Sequence, residues 1–358
     1  MVYKLTQIWQ RVLQRPFIGV DDNFFSVGGS FESADQIFAE ITEECGLELP
    51  SATIYHGQTI GALASLLERS LLERSTIPRF SPLVQVKAGR EQPPILIVHG
   101  MAGTVPFFEL ARHIRTGHPV YGFQAKGLDG LEEPLERVED MAEFYLNSLE
   151  DLQPHGPYLL VGYSFGGLVA LEMAQRLVRR GEEIALLVLV DAYPHLRHLA
   201  LAQRVKLIAQ RAKRILLEFD ERFLRAARRG KRHLRSAQIY LDDRLAEPSP
   251  LSFERTTARV RESSYRALAA YRPQFYKGKI KFVKSGSDSY YPADPVAVWG
   301  NLTAAFELET VPGGHLDMLT SDDQSLAAII TRYASEARGP EYELAGTGFE
   351  DADIDAPI

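Results

Sequence analysis

Only one cysteine occurs in 358 residues, so Cys45 has no partner for an internal disulfide and the fold takes nothing from cross-linking. A reducing, cytoplasmic setting suits that usage. No apolar run approaches the roughly 20 residues that a membrane-spanning helix needs, which speaks against an integral membrane protein. The first residues, Met-Val-Tyr-Lys-Leu-Thr, lack the charged-then-apolar layout of a secretory signal. A large excess of either charge is lacking as well. With 40 Lys and Arg against 47 Asp and Glu the net charge is -7, and nothing points to nucleic acid or an anionic membrane as partner. What remains is an ordinary globular composition, 45% hydrophobic and 24% charged. Cys45 ends an amphipathic helical pattern and precedes Gly46, so it reads as a small helix-end residue rather than a nucleophile.

Three segments separate by pattern. Residues 4–70 read as a small all-α bundle of four helices. Leu5, Ile8, Trp9 and Val12 recur at helical spacing, as do Ala34, Ile37, Phe38 and Ile41, and then Ile60, Leu63, Ala64 and Leu67. The loop FIGVDDNFFSVGGS joins the first two helices. Residues 71–82 form a charged, proline-broken linker with Pro78 and Pro82. From residue 83 to 337 short apolar runs, ILIV (95–98), YLLV (158–161) and LLVLV (186–190), alternate with amphipathic helices. That alternation predicts an α/β domain with a mainly parallel sheet. A helical stretch over about 195–270 interrupts it, and KIKFV (279–283) and FELETV (306–311) resume it. The acidic tail 338–358 is expected to be disordered.

Gly162-Tyr163-Ser164-Phe165-Gly166 is the strongest motif. G-x-S-x-G is weak as a bare pattern. Here it follows strand-like YLLV and precedes helical LVALEMAQRLV, the strand–turn–helix of a nucleophile elbow. Ser164 is therefore the expected nucleophile. A serine hydroxyl needs a base to take its proton. Among nine histidines, His315 in VPGGHLDML lies late in the chain just after FELETV, where this chain order puts the base. For the acid that holds the imidazole, Asp191 follows LLVLV and Asp288 follows KIKFVKSGS; position alone leaves the two nearly tied. Asp294 and Asp317 are poorer on spacing. The oxyanion donors expected are the N–H of Phe165 and, from the loop after ILIVHG, that of Met101, with Ala102 second. One such donor stabilises a transition state by about 3–4 kcal/mol. His99 reads as a structural member of that loop.

PILIVHGMAG, GPYLLVGYSFGGLVALEMA, LVLVDAYP and VPGGHLDML together resemble the releasing thioesterase domain of nonribosomal peptide and polyketide synthases, an α/β-hydrolase fold. The resemblance implies that the acid follows the strand after the nucleophile helix, at Asp191. It also implies a helical lid between the sixth and seventh strands, matched by 195–270. The lid's basic run, Arg204, Lys213, Arg214, Arg228, Arg229, Lys231, Arg232 and Arg235, is a solvated face or a docking surface for an acidic carrier.

Residues 4–70 resemble the carrier-protein domain of the same synthases through VDDNFFSVGG and LELPSATIYHGQTIGALASLL. The resemblance implies a covalent phosphopantetheine on a serine two residues after the Gly28-Gly29 pair. That position is Phe31. Ser30 lies one residue early and is the candidate attachment site, while Ser33 lies inside the helix. A one-residue deletion would put Ser30 in register, but the apolar spacing from Ala34 to Ile41 fits better without one.

The function so implied is a type I thioesterase that releases an acyl or peptidyl chain through an acyl-Ser164 intermediate, by hydrolysis or cyclisation, with no metal or cofactor at the hydrolase site. The partners implied are an acyl thioester, a carrier domain in cis and upstream synthase modules. Two rivals stand beside it: an acyltransferase that passes the acyl group to a separate nucleophile, and a non-catalytic carrier-like docking module beside a scavenging hydrolase.

Overall fold

The computed structural model describes residues 1–73, 80–104, 107–209, 249, 251–286, 294–320 and 324–337. The tail 338–358 and most of the lid's basic run, Lys213 through Arg235, lie outside them.

The N-terminal domain contains helices Val2–Val12, Phe31–Cys45 and Ile60–Glu73 and a 3-10 turn, Ser51–Tyr55. The last helix runs past the expected boundary at residue 70. Leu5, Ile8 and Trp9 of the first helix are fully buried with Ile37, Ile41, Leu63 and Leu67, and only Val12 of the expected set is half-buried. The second helix is defined chemically at both ends. Ser30 accepts the Ser33 N–H while the Ser33 hydroxyl accepts the Ser30 N–H, a reciprocal cap. Gly46, in the left-handed region at φ 67°, ends it and leaves Cys45 as the last helical residue.

The second domain is a seven-stranded sheet, β1 Leu83–Lys87, β2 Ile95–Val98, β3 Val120–Phe123, β4 Tyr158–Tyr163, β5 Ile184–Val190, β6 Tyr276–Ser285 and β7 Thr303–Val311. The order across the sheet is β1-β3-β2-β4-β5-β6-β7, with β1 antiparallel to β3 and every other pair parallel. β2 and β4 are buried at every residue because helices cover both faces of the centre. β7, at the edge, is buried only at its two end residues, Thr303 and Val311. β1 and β3 are strands that no long apolar run announces.

The segment expected as a lid enters between β5 and β6, the fifth and sixth strands of this sheet rather than the sixth and seventh. Residues 201–209 and Phe253–Ala270 are helical. Arg204 is exposed on the first of these. The Phe253–Ala270 helix is tied to the hydrolase by Arg259 to Glu133 (2.8 Å), Arg266 to Glu136 (2.5 Å) and burial of Val260 and Ala267. Among the described residues no helix is long and apolar enough to cross a membrane.

Candidate active site

Central β4 ends at Tyr163, and the next residue, Ser164, has φ +55°. A non-glycine residue in the left-handed region costs on the order of 1–3 kcal/mol and persists only where the surroundings dictate it. Here they do. The Ser164 N–H still donates to Val190 O at 2.8 Å, continuing the ladder one residue beyond the strand. Helix Gly166–Arg179 then leaves at once, and a side chain at Gly166 would put its Cβ 2.1 Å from the His99 carbonyl oxygen. Glycine is the residue that lets this helix start back onto the end of β2. The serine is thereby turned out of the strand with its own side chain 6% exposed.

Asp191 repeats the device on the adjacent strand. It is the first residue past β5, has φ +47°, and donates its N–H to Val283 O at 2.8 Å. Its carboxylate is fully buried and fully engaged. Oδ2 accepts from His315 Nδ1 at 2.9 Å and from the Ser285 hydroxyl at 2.8 Å, and Oδ1 accepts from the Ser285 N–H at 3.4 Å. Donation from Nδ1 fixes the imidazole tautomer and leaves Nε2 as the basic nitrogen.

His315 lies in the loop after β7. Gly313 takes φ +79° there, and Asp317 accepts the Gly314 N–H at 2.7 Å. Tyr163, next to the serine, holds this loop from beneath. Its hydroxyl donates to His315 O at 2.7 Å, and its ring stacks on the imidazole at 4.9 Å between centroids. Asp317 thus closes the histidine loop, and Asp294 caps helix Pro295–Trp299 through the Ala297 N–H at 3.1 Å. Asp288 lies outside the described residues.

The loop after β2 folds into a turn in which the Gly103 N–H donates to Gly100 O at 3.3 Å, with Met101 and Ala102 between. A Cβ on Gly100 would stand 3.8 Å from Ser164 Cβ, so this turn borders the serine. Phe165 is the N-cap of the Gly166–Arg179 helix. The Gly167 and Leu168 N–H groups donate to Ser164 O and Phe165 O, both at 3.0 Å, and the Phe165 N–H ahead of them lies at the positive end of the helix dipole. His99 anchors the turn. It is fully buried, its Nδ1 donates to Gly100 O at 2.6 Å, and its Nε2 accepts from the buried Tyr145 hydroxyl. Burial pushes its pKa down to about 4, so it stays neutral and structural.

The structure therefore brings Asp191 and His315 together and sets Tyr163, neighbour of Ser164, against that histidine. Two contributors escape a reading of the sequence. Ser285 ends β6, in the same KSGS string that draws attention to Asp288; its adjacency to Asp191 follows from β5 and β6 being neighbours in the sheet. Tyr163 occupies a variable position of the motif and carries no signal by itself. No group of three His, Cys, Asp or Glu suited to a metal occurs among the described residues.

A mostly parallel sheet with a strained serine just past the end of its central strand, beside a histidine–aspartate pair, defines an α/β-hydrolase. Residues 93–335 match the thioesterase domain family, and the chain belongs to that family. Its members are hydrolases that typically work through a serine. Residues 4–67 match the phosphopantetheine attachment site family. The chain is 36% identical over 192 residues to a dimodular nonribosomal peptide synthase of Bacillus subtilis (strain 168), covering 53% of this chain and 8% of that protein. It is 28% identical over 335 residues to malpibaldin synthetase of Mortierella alpina, covering 92% of this chain and 6% of that protein. The chain thus spans less than a tenth of either relative. In fold it resembles holo-AB3403, a four-domain nonribosomal peptide synthetase solved bound to AMP and glycine, with a TM-score of 0.56 and 21% identity, over 95% of this chain and 26% of that one.

The cofactor of the attachment family is a covalent phosphopantetheine, and the thioesterase domain itself needs none. Phe31 does not fit that group. It is the first residue of its helix, offers no oxygen, and packs its ring 4.8 Å from that of Phe253. Ala34, Ile37, Phe38 and Ile41 are all buried without any shift in register. Ser30 is an exposed residue with an oxygen to offer: at the helix N-cap its hydroxyl accepts the Ser33 N–H and donates to Glu32 Oε2 at 3.0 Å, and it lines a cleft of about 260 Å³ with Phe25, Phe108 and Arg112.

Proposed function

We propose that the chain releases an acyl or peptidyl group from a phosphopantetheine thioester made by upstream synthase modules, through an acyl-enzyme on Ser164. The observation that carries this reading is the 2.9 Å pairing of His315 Nδ1 with buried Asp191, next to a serine held at φ +55° on the central strand.

Phosphopantetheine supplies a long arm and a thiol whose acyl ester is the bond to be broken. In this chain Ser30 is the hydroxyl proposed to bear it. The protein does the rest. Ser164 Oγ attacks the thioester carbonyl as His315 Nε2 takes its proton, and Asp191 supports the imidazolium. The N–H groups of Phe165 and Met101 hold the oxyanion. The C–S bond then breaks, His315 returns the proton to the departing thiolate, and the acyl group rests on Ser164. Water, or a nucleophile within the acyl chain, gives its proton to His315 and takes the acyl group in the same way. We place the reaction in the cytoplasm, where a half-buried lone cysteine stays reduced.

A fluorophosphonate probe should label the full chain once, with labelling lost in Ser164→Ala. Full labelling of that variant would overturn the assignment. Incubation with a phosphopantetheinyl transferase and coenzyme A should add one phosphopantetheine, absent from Ser30→Ala. No mass gain in the wild-type chain would refute attachment at Ser30 and leave delivery to another carrier.

A further inference from the structure

The attachment-family domain does not merely adjoin the hydrolase; it grips the first turn of the lid helix. Phe253, the first residue of helix Phe253–Ala270, is 2% exposed. The Phe31 ring packs on it at 4.8 Å and Tyr55 meets it edge-on at 5.9 Å. The Phe253 N–H donates to Asp35 Oδ1 at 2.7 Å, and the Ser51 N–H donates to Leu251 O at 3.2 Å. Alongside, Phe25 stacks on Phe108 of the hydrolase at 4.2 Å with the rings 12° apart.

The far end of this grip is the catalytic turn. Val260 stands seven residues beyond Phe253, nearly two helical turns, hence on the same face and about 10 Å along the axis. It is 1% exposed and lies so close to Gly103 that a Cβ there would come 2.5 Å from Val260 Cγ1. Gly103, at φ +75°, closes the turn that presents Met101 and Ala102. A lid helix displaced at Phe253 cannot keep Val260 in that contact.

We propose that the attachment-family domain positions the hydrolase, with Phe31 and Asp35 as positioning residues that act through the Phe253–Ala270 helix on the oxyanion turn. The inference rests on the assignment of Ser164 and of that turn given above. It also gives Phe31 a purpose: the aromatic ring at the family's attachment position is an anchor in the dock. Contact from Phe31 supplies apolar packing, and Asp35 supplies an acceptor for the first lid N–H.

The test uses the full chain and two readouts that need an oxyanion hole: the second-order rate of fluorophosphonate labelling, and kcat and KM for an acyl-N-acetylcysteamine thioester. Phe31→Ala and Asp35→Ala should each slow labelling about tenfold and lower kcat by a similar factor with KM within twofold. Phe31→Leu and Asp35→Asn, which keep an apolar contact and an acceptor, should return to within threefold of wild type. Amide exchange should rise at 253–260 in the two alanine variants and stay unchanged at 158–179. If Phe31→Ala does not fold, Asp35→Ala, which removes no core volume, carries the same comparison. Labelling of both alanine variants at the wild-type rate, with Ser164→Ala unlabelled, would overturn the positioning role while leaving the active-site assignment intact. A wild-type chain that the probe does not label at all would instead remove that assignment.

Discussion

Replacing Asp191 by Asn tests the acid where the structure constrains it most. Asp191 is fully buried, and every contact its carboxylate makes is as an acceptor: His315 Nδ1 and the Ser285 hydroxyl on one oxygen, the Ser285 N–H on the other. An amide has one accepting end. With its oxygen toward His315, its NH2 faces the Ser285 N–H. With the amide turned round, its NH2 faces His315, whose Nδ1 must then accept, and the proton moves to Nε2, the atom that should take the serine proton. Either way the charge that supports the imidazolium is gone. A hydrogen bond to a charged group contributes about 1.5–3 kcal/mol, and loss of the working tautomer adds to it. The same exchange in a serine triad lowers kcat about 10⁴-fold, or roughly 5 kcal/mol of barrier. Release of free thiol from an acyl-N-acetylcysteamine thioester, followed with a thiol reagent at pH 7.5, should show kcat down by about 10³–10⁴ with KM little changed. Thermal melting would confirm that the variant is folded. A folded Asp191→Asn variant within tenfold of wild-type kcat would refute the assignment, and Asp288 would be the next acid to replace.

Tyr163→Phe keeps the ring on the imidazole but removes the 2.7 Å bond to His315 O; a neutral bond of about 1 kcal/mol predicts a Tm roughly 2–4 °C lower and, if the loosened loop misplaces the imidazole, a fall of about fivefold in kcat/KM, and an unaltered kcat/KM would exclude that role. Gly166→Ala would force a Cβ to within 2.1 Å of the His99 oxygen; a cost of about 3 kcal/mol predicts a Tm roughly 6–12 °C lower, and a wild-type Tm would show that the helix start can move. For His99 the folded pKa, about 4, lies below the ordinary 6.5, so the unfolded chain gains the proton first as pH falls. Stability linked to this group is intact above about pH 6.5 and is lost between there and about 4. Between pH 7.5 and 5.0 urea denaturation should cost the wild type about 2 kcal/mol more than His99→Asn, whereas parallel losses would mean that His99 does not titrate in this way.

Much of this site is legible in the chain because its logic is local. The Gly-Tyr-Ser-Phe-Gly string between a strand and a helix needs no partner to be recognised: small residues on each side of Ser164 are a steric demand of the turn itself. The continuous apolar runs of β2, β4 and β5 announce a covered parallel sheet. The reciprocal cap at Ser30 and Ser33 and the left-handed Gly46 fix a helix from residues a few positions apart. The sequence determined the two-domain order and the core faces of the bundle, and it singled out the serine and the late histidine proposed as nucleophile and base.

Choosing among the acids was different. Asp191 and Asp288 each follow a strand, and position along the chain does not weigh them. The family resemblance points to Asp191, and the side-by-side order of β5, β6 and β7 is what brings Ser285 and His315 to its carboxylate across 94 and 124 residues. The same reason hides Tyr163, whose hydroxyl meets a carbonyl 152 residues away. Phe31 is the clearest case. In the sequence it is a departure from the family's serine, and only the packing of two domains turns it into a contact on Phe253, because burial and alignment between distant segments arise from the closed fold and leave no periodic trace in the chain.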